Sequence, residues 1–212
     1  MTTPTTSIIV INLQRRPDRW KRWVQEARKQ KIERYSRWEG VDGATLTLTP
    51  EIQDLFRDND FNMRPGVVGC ALTHMNIWLY VIESRTPNLI VFEDDACFNE
   101  PFKVPELPLG WDLFYFGGPP FKGIYPPGVP INDDVIIPKL SADLYFTTLA
   151  YMISYTGACK LVDRLGKVGF NRAADWFMRD TFDKLNVFCY KKLIVYPAEG
   201  AGSDVKEKEE KK

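Results

Sequence analysis

Apolar and polar positions follow one another in blocks along this chain, a pattern typical of proteins in which strands alternate with helices. Short apolar runs that suit buried strands occupy residues 7–13, 89–93 and 111–116. Longer segments with helical spacing occupy residues 17–29 and 67–84. A helix that connects two such strands forms a βαβ unit, which has parallel strands and a right-handed crossover. The pattern therefore predicts an α/β fold around a mostly parallel central sheet flanked by helices.

The other elements are less regular. We expect further strands near residues 35–39, 144–154 and 187–195, and further helices at residues 51–57, 156–165 and 175–184. Residues 119–138 are rich in Pro and Gly and are predicted to form a long loop, which in a compact domain is typical of a functional segment. Residues 206–212 contain only Lys and Glu and are predicted to be a disordered tail. We therefore expect a single domain over residues 1–205.

The apolar run from Leu89 to Phe92 leads directly into three carboxylates, Glu93, Asp94 and Asp95. In an open α/β sheet, ligands bind beyond the carboxyl ends of the parallel strands. Three adjacent acids repel one another, and a hard divalent cation such as Mg²⁺ or Mn²⁺ relieves that repulsion. The alternative is an acidic turn with solvated side chains, which an acidic triplet alone does not exclude.

A basic turn follows the first predicted strand. Arg15, Arg16 and Arg19 lie beside the start of the helix at residues 17–29, where Pro17 suits the first helical position. The N–H groups and the dipole at a helix N-terminus attract anions. The turn is therefore either an anion site or a solvated basic face.

Composition narrows the classes of function. The chain has 28 Lys+Arg and 28 Asp+Glu, and this zero formal charge argues against a protein whose main partner is nucleic acid. The cysteines Cys70, Cys97, Cys159 and Cys189 contain no Cys-x-x-Cys pair, which argues against zinc and disulfide frameworks and favours a reducing compartment. We see neither a signal peptide nor a membrane span, and we expect a soluble, cytoplasmic protein.

A series of short stretches is similar to glycosyltransferase family 25, which includes bacterial lipooligosaccharide galactosyltransferases and collagen hydroxylysine galactosyltransferases. The stretches that carry the resemblance are 10–13 with 15–19, 39–43, 65–74, 91–95, 111–117, 147–154 with 157–158, 174–176 and 203–205. Their common order over most of the chain argues against chance similarity. The chain departs from the family at Val67, where a Glu is usual, and at Thr73, where a Ser usually precedes the histidine His74.

The resemblance implies a GT-A type fold, a Rossmann-like α/β sandwich that binds a UDP-sugar together with Mn²⁺ or Mg²⁺. In that fold the acidic triplet is a motif of the Asp-x-Asp type, and the resemblance assigns the metal to Asp95, Glu93 and Asp204. It also places His74, the only histidine, behind the motif as a support for its ligands. Two alternatives stay open: His74 as an ordinary core residue, and Asp204 as part of a frayed tail.

The resemblance also indicates where the substrates bind. The residues expected to hold the nucleotide-sugar are Asn12, Arg16, Arg19, Asp42, Glu93, Asp94, Thr147, Thr148 and Trp176. The family is regarded as inverting, which requires a carboxylate that deprotonates the acceptor hydroxyl. Asp175 is the first candidate for this catalytic base and Asp180 the second. The loop at residues 121–130 is expected to form the acceptor rim or a lid.

These expectations give three hypotheses. The first is a metal-dependent glycosyltransferase that moves galactose or glucose from a UDP-sugar to a glycan, a lipid-linked saccharide or a protein, including a glycoprotein. The second is a catalytically degenerate member of the same fold that keeps nucleotide or glycan binding. The third is a divalent-metal phosphohydrolase built on clustered acids, which does not account for the ordered stretches.

Overall fold

A computed structural model describes residues 6–118, 127–139, 146–200, 202, 204 and 205. The strands are β1 (Ser7–Asn12), β2 (Ser36–Glu39), β3 (Asn88–Glu93), β4 (Ala96–Phe98), β5 (Leu113–Tyr115), β6 (Gly128–Pro130), β7 (Val135–Pro138), β8 (Ala150–Ser154), β9 (Val187–Tyr190) and β10 (Val195–Pro197). The helices are α1 (Pro17–Lys29), α2 (Pro50–Leu55), α3 (Pro65–Glu83), α4 (Tyr155–Val168) and α5 (Ala174–Arg179), followed by a 3-10 turn at Phe182–Lys184.

Eight of the strands form one sheet in the order β2-β1-β3-β8-β5-β9-β7-β6. The pairings β1–β2, β1–β3 and β5–β9 are parallel, and only β8 and β7 run against the other six strands. Strands β4 and β10 pair separately as an antiparallel ribbon. The predicted α/β fold with a mostly parallel sheet is therefore confirmed.

The sheet has a hydrophobic layer on each face, because successive residues of a strand point to opposite sides. Val91 of β3 packs into the layer that contains α3, α4 and α5, whereas Ile90 and Phe92 pack into the layer that contains α1. In the second layer Trp23 is fully buried, and its ring centroid lies 5.1 Å from that of Phe92. Both faces of β3 are covered, so its carboxyl end is held firmly at the edge of the sheet.

Helix α3 runs through the first layer. By length and composition alone it could cross a membrane, but 56% of its apolar window is buried inside the protein. Trp78 and Val81 have no exposed surface, and Trp78 packs against Phe170 and Phe177. Its apolar character is thus explained by burial in the core.

Several of the predicted element boundaries are wrong, among them the start of the strand predicted at residues 144–154, which is observed at Ala150. The predicted loop at 119–138 contains the hairpin β6–β7, whose turn is held by Asn132, since its Oδ1 accepts from the N–H of Asp134 and Val135; residues 119–126 lie outside the described part. The predicted strand at 187–195 is divided into β9 and β10. The predicted helix at 175–184 ends as α5 at Arg179, and the 3-10 turn follows.

Candidate functional site

The candidate site lies where β1, β2 and β3 end together. Their register pairs Ile11 with Glu93 and Asn12 with Glu39, so the polar residues that follow the strands meet at one edge of the sheet. A pocket opens there, and its walls are the β1–α1 turn, the turn at residues 40–44, the N-terminal half of α3, the acidic triplet and residues 204–205. This is the position at which open α/β sheets bind their ligands.

Close packing of glycines fixes one wall of this pocket. A Cβ atom at Gly43 would lie 1.7 Å from the carbonyl oxygen of Pro65, and one at Gly69 would lie 2.5 Å from that of Val41. Thr73 Oγ1 ties the same two segments together, because it donates to the Gly69 carbonyl at 2.7 Å and accepts from the Val41 N–H at 2.9 Å. The turn at 40–44 therefore rests directly on α3.

Arg19 is the charged centre of the pocket, and only 9% of its side chain is exposed. Its Nη2 atom lies 2.6 Å from Asp94 Oδ1 and 2.9 Å from Asp95 Oδ2, and its Nη1 atom lies 3.0 Å from Asp204 Oδ2. Burial alone would lower the pKa of Arg19, but the surrounding carboxylates outweigh it and raise the pKa. The acidic triplet is thus held by a buried cation and is not a solvated turn.

The crowding of buried carboxylates raises the pKa of both Asp94 and Asp95. Burial raises the pKa of Asp94, although Arg19 opposes the shift. Burial and the neighbouring charge of Glu93 together raise the pKa of Asp95 to about 6. Asp95 Oδ1 is buried and has no hydrogen-bond partner in the described part of the chain. A buried carboxylate oxygen without a donor is costly, and oxygens of this kind are ligands for Mn²⁺ or Mg²⁺, so the residues present fit such an ion.

Glu93 contacts Thr148, just before β8, and His74 of α3. Its Oε1 accepts from Thr148 Oγ1 at 2.6 Å and lies 3.5 Å from His74 Nε2. Burial opposes ionisation of Glu93, but its contacts with His74 and Thr148 outweigh this and lower its pKa. His74 Nδ1 lies 2.9 Å from the hydroxyl of Tyr151, to which Trp78 Nε1 also donates. His74 is therefore both a buried core residue and a contact of the acidic motif.

The carboxylate of Asp204 lies on the basic turn. Its Oδ1 is 2.6 Å from Arg15 Nη1, and its Oδ2 is 2.6 Å from Arg16 Nη1. Burial opposes ionisation, but the arginines outweigh it and lower the pKa of Asp204. Arg15 Nε also contacts Asp42 Oδ2 at 2.6 Å, which links the turn after β2 to the same cluster. A side chain at Gly66 would collide with the backbone of Asp204, so the glycine leaves room for this segment. Asp204 is part of the pocket and not of a frayed tail.

The ligand atoms of the expected metal set, Asp95, Glu93 and Asp204, do not all converge, because Arg19 lies between Asp95 and Asp204. Among the described residues, one group of Cys, His and acidic side chains has all its ligand atoms within 4.8 Å of one another, namely Cys70, His74 and Glu93. Sequence reasoning missed Cys70 as a site residue, although its position four residues before His74 on a helix places both on one face.

Asp175 lies in the first turn of α5, where its Oδ1 accepts from the N–H of Trp176 at 2.8 Å. Burial raises the pKa of Asp175, and the charge of Glu93 raises it further. Asp175 is not among the residues that line the pocket, yet it is close enough to sense the charge of the acidic triplet.

The neighbours of Asp175 are engaged in other contacts. The guanidinium carbon of Arg172 lies 4.1 Å from the ring centroid of Trp176, and that of Arg179 lies 4.9 Å from it. Arg172 Nη1 also contacts Asp180 Oδ2 at 3.2 Å. Elsewhere among the residues expected to bind the donor, Thr147 Oγ1 accepts a long hydrogen bond from the N–H of Leu149. The ring of Trp176 is therefore already in contact with two guanidinium groups.

Comparison with known proteins identifies relatives of this chain. Residues 5–105 match the family described as glycosyltransferase family 25 (LPS biosynthesis protein). Mouse procollagen galactosyltransferase 2 is 30% identical over 229 residues, which cover 92% of this chain and 35% of that protein. A probable inactive glycosyltransferase 25 family member 3 from cattle is 33% identical and covers 73% of this chain and 28% of that protein. The chain thus spans about a third of the length of these relatives.

A solved structure supports the fold assignment. A Drosophila β-1,4-galactosyltransferase 7 mutant, in complex with manganese, UDP-Gal and xylobiose, aligns over 97% of this chain and 77% of its own chain. The TM-score is 0.51 and the sequence identity is 8%, so the likeness concerns the fold alone. The GT-A type of fold expected from the resemblance is confirmed.

Proposed function

Because the chain belongs to glycosyltransferase family 25, we propose that it is the catalytic domain of a metal-dependent glycosyltransferase. It transfers galactose or glucose from a UDP-sugar to a glycan, a lipid-linked saccharide or a protein, with inversion at the anomeric carbon. The observation that carries the proposal is the pocket at the strand ends, where Arg19 contacts Asp94 and Asp95 of the acidic triplet and shares the carboxylate of Asp204 with Arg15 and Arg16. A diphosphate and a divalent cation need this combination of charges.

In this proposal the basic turn binds the diphosphate. Arg15, Arg16 and Arg19 already bind the carboxylate of Asp204, so they present their donors to a single anionic group. The N-terminus of α1 adds its dipole to the same place. Asn12, whose Oδ1 is buried and unpaired within the described residues, and Asp42 on the opposite wall then hold the nucleoside.

The metal, when bound, stabilises the negative charge of the departing UDP as a Lewis acid. Asp95 would hold it through Oδ1, and Glu93 would support it from the neighbouring position. We propose that Asp204 joins them only when the diphosphate has taken over the arginines, because the carboxylate and the diphosphate compete for the same donors. His74 and Thr148 keep Glu93 in place through their contacts with its Oε1.

The acceptor hydroxyl would be deprotonated by Asp175. Its raised pKa makes it a stronger base than an exposed aspartate, which suits general base catalysis. Asp180 is the second candidate, although its ion pair with Arg172 would have to open first. Thr147, Thr148 and Trp176 are proposed to surround the transferred sugar.

We further propose that residues 1–205 form one catalytic domain and that the protein acts in the cytoplasm. All four cysteines are free thiols, which agrees with a reducing compartment.

A thermal-shift experiment tests the donor assignment. A ligand that binds only the native state raises its stability. We expect UDP and UDP-galactose or UDP-glucose to raise the melting temperature only when Mn²⁺ is present, and GDP and CMP to have no such effect. Asp95→Ala should abolish the Mn²⁺-dependent shift, whereas Asp163→Ala, at an exposed position of α4, should keep it. A full shift in Asp95→Ala would refute the metal assignment.

A second candidate function is a degenerate family member that binds the donor without turnover. Two observations favour it: several relatives are named as inactive, and a buried Val67 stands where the family usually has Glu. Release of UDP from the donor distinguishes the two functions. Turnover that depends on Asp175 supports the enzyme, whereas donor-dependent stabilisation without any turnover supports the binding protein.

A further inference from the structure

A cluster beside the acidic triplet has a second set of metal-binding atoms. Cys70 and His74 lie one helical turn apart on α3 and face Glu93 at the end of β3. The Cys70 sulfur, a His74 ring nitrogen and a Glu93 carboxylate oxygen all lie within 4.8 Å of one another. We propose that these three residues bind a thiophilic divalent cation, Zn²⁺ above all, at a position separate from the Mn²⁺ position at Asp95.

The donor types select the ion. A thiolate, an imidazole and a carboxylate are the three protein donors that Zn²⁺ uses. Mn²⁺ and Mg²⁺ prefer oxygen donors, so the sulfur of Cys70 disfavours them. The same sulfur distinguishes this position from one made of Asp95 and its neighbours.

The spacing is close to that of an occupied site. Zinc bonds of about 2.0 to 2.3 Å place tetrahedral ligand atoms roughly 3.3 to 3.8 Å apart. His74 Nε2 and Glu93 Oε1, 3.5 Å apart, already lie in that range. The Cys70 sulfur, which lies at most 4.8 Å from the other two ligand atoms, therefore has to move closer by at most about 1.5 Å, a change that rotation of the Cys70 side chain can supply.

The surroundings orient the ligands. The contact of His74 Nδ1 with the Tyr151 hydroxyl leaves Nε2 directed towards Glu93, and such outer contacts are usual for metal-binding histidines. Thr148 Oγ1 donates to the same oxygen, Glu93 Oε1, and so helps to orient the carboxylate. Cys70, His74 and Glu93 all line the pocket, so an ion can enter from there and a water molecule can complete the tetrahedron. The absence of a Cys-x-x-Cys pair excludes a zinc framework but not a site built from one cysteine, one histidine and one acid.

Cobalt spectroscopy tests the site directly. Co²⁺ replaces Zn²⁺ in such sites, and a cobalt–thiolate bond gives a charge-transfer absorption in the near ultraviolet. We expect a thiolate absorption that saturates with one Co²⁺ per chain at this position, its loss when Zn²⁺ is added, and its absence in Cys70→Ser. The absorption should remain in Cys159→Ser, a matched thiol variant in α4, and in Asp95→Ala.

Several results would overturn the proposal. They are no thiolate absorption in the wild-type protein, an absorption that survives Cys70→Ser, or one that disappears in Cys159→Ser. Thermal melting without metal shows whether each variant folds. If Cys70→Ser does not fold, Glu93→Gln serves instead, and its affinity for Co²⁺ should fall about tenfold or more while the absorption at saturation persists. An unchanged affinity would then contradict the site.

The site is coupled to the donor site through Glu93, a consequence that rests on the proposed function. Zn²⁺ should weaken Mn²⁺-dependent binding of UDP about tenfold more in the wild-type protein than in Cys70→Ser, where it competes only at the Asp95 position. A cobalt–thiolate absorption without any Mn²⁺-dependent binding of UDP would support the zinc site and contradict the proposed function. The two failures are therefore distinguishable.

Discussion

The replacement Arg19→Met tests whether a buried guanidinium neutralises the acidic triplet. Methionine keeps much of the length of the arginine stem but removes its charge and donors. Arg19 is 9% exposed and contacts Asp94 and Asp95, whose side chains are 6% and 16% exposed. Removal of one member of a buried ion pair leaves an uncompensated charge and costs about 3–5 kcal/mol. For a domain of this size, that cost lowers the melting temperature by roughly 6–20 °C.

Mn²⁺ should reverse much of this loss. A divalent cation supplies the positive charge that the variant lacks, and its binding to the native state adds stability that grows with its concentration. The assay is urea unfolding of wild type and variant, each with and without Mn²⁺. The control is Arg15→Met, because Arg15 is 45% exposed and its ion pairs with Asp42 and Asp204 are worth about 0.2–1 kcal/mol each.

Two outcomes would refute this reasoning. One is a loss in Arg19→Met no larger than the loss in Arg15→Met, which would mean that the triplet tolerates its charges unaided. The other is a stabilisation by Mn²⁺ that is no larger in Arg19→Met than in wild type, which would mean that the cation binds away from these carboxylates.

Three further predictions concern other parts of the molecule. Asp175→Asn should leave UDP binding intact but cut transfer by about 10² or more. Because the pKa of Asp175 is raised in the folded state, its ionised carboxylate destabilises the fold as pH rises through that pKa, so in urea unfolding the advantage of the variant over wild type should grow from below about pH 4 to neutral pH. An equal gain at all pH values would contradict the raised pKa. In calorimetry without metal, Asp204→Asn should bind UDP more tightly than wild type, because the variant weakens a competitor for the arginines. It should also lose part of the dependence of UDP binding on Mn²⁺. If Mn²⁺-dependent binding became tighter instead, Asp204 would be excluded as a metal ligand. Gly69→Ala should lower the free energy of unfolding by about 1–3 kcal/mol, because its Cβ would collide with the Val41 carbonyl. Gly166→Ala, whose Cβ meets open space on α4, should raise the free energy of unfolding by about 0.5–1 kcal/mol. Equal effects in urea unfolding would contradict the close contact at Gly69.

The sequence predicted the elements whose residues are continuous and strongly patterned. The strand that ends at Glu93 and the helix that begins at Pro17 are of this kind, and the triplet and the basic turn follow from them. The element boundaries that were predicted wrongly depend on strand partners that are distant in the chain. Val135 forms a strand because it pairs with Tyr190 of β9, and no local pattern in a Pro-rich segment reveals that partner.

The sequence predicted residues of the candidate site but not the contacts between them. The sequence gives no sign that Arg19 lies between Asp95 and Asp204, because Asp204 is 185 positions away from it. Nor does it show that Tyr151 reaches His74, a contact that depends on the antiparallel pairing of β8 with β3. Sequence reasoning also treated the cysteines only as a spacing pattern, and so it missed Cys70 beside His74.

The balance of charge in the pocket bears on the order of binding. The guanidinium groups of Arg15, Arg16 and Arg19 face six carboxylates, of Asp18, Asp42, Glu93, Asp94, Asp95 and Asp204. The carboxylates exceed the cations by three charges, more than one divalent ion supplies. A diphosphate that entered first would add to this excess in a partly buried place, where like charges repel strongly. Under the proposed function, the metal should therefore enter before the nucleotide or together with it, and this excess of negative charge gives a physical reason for a requirement for Mn²⁺ in UDP binding.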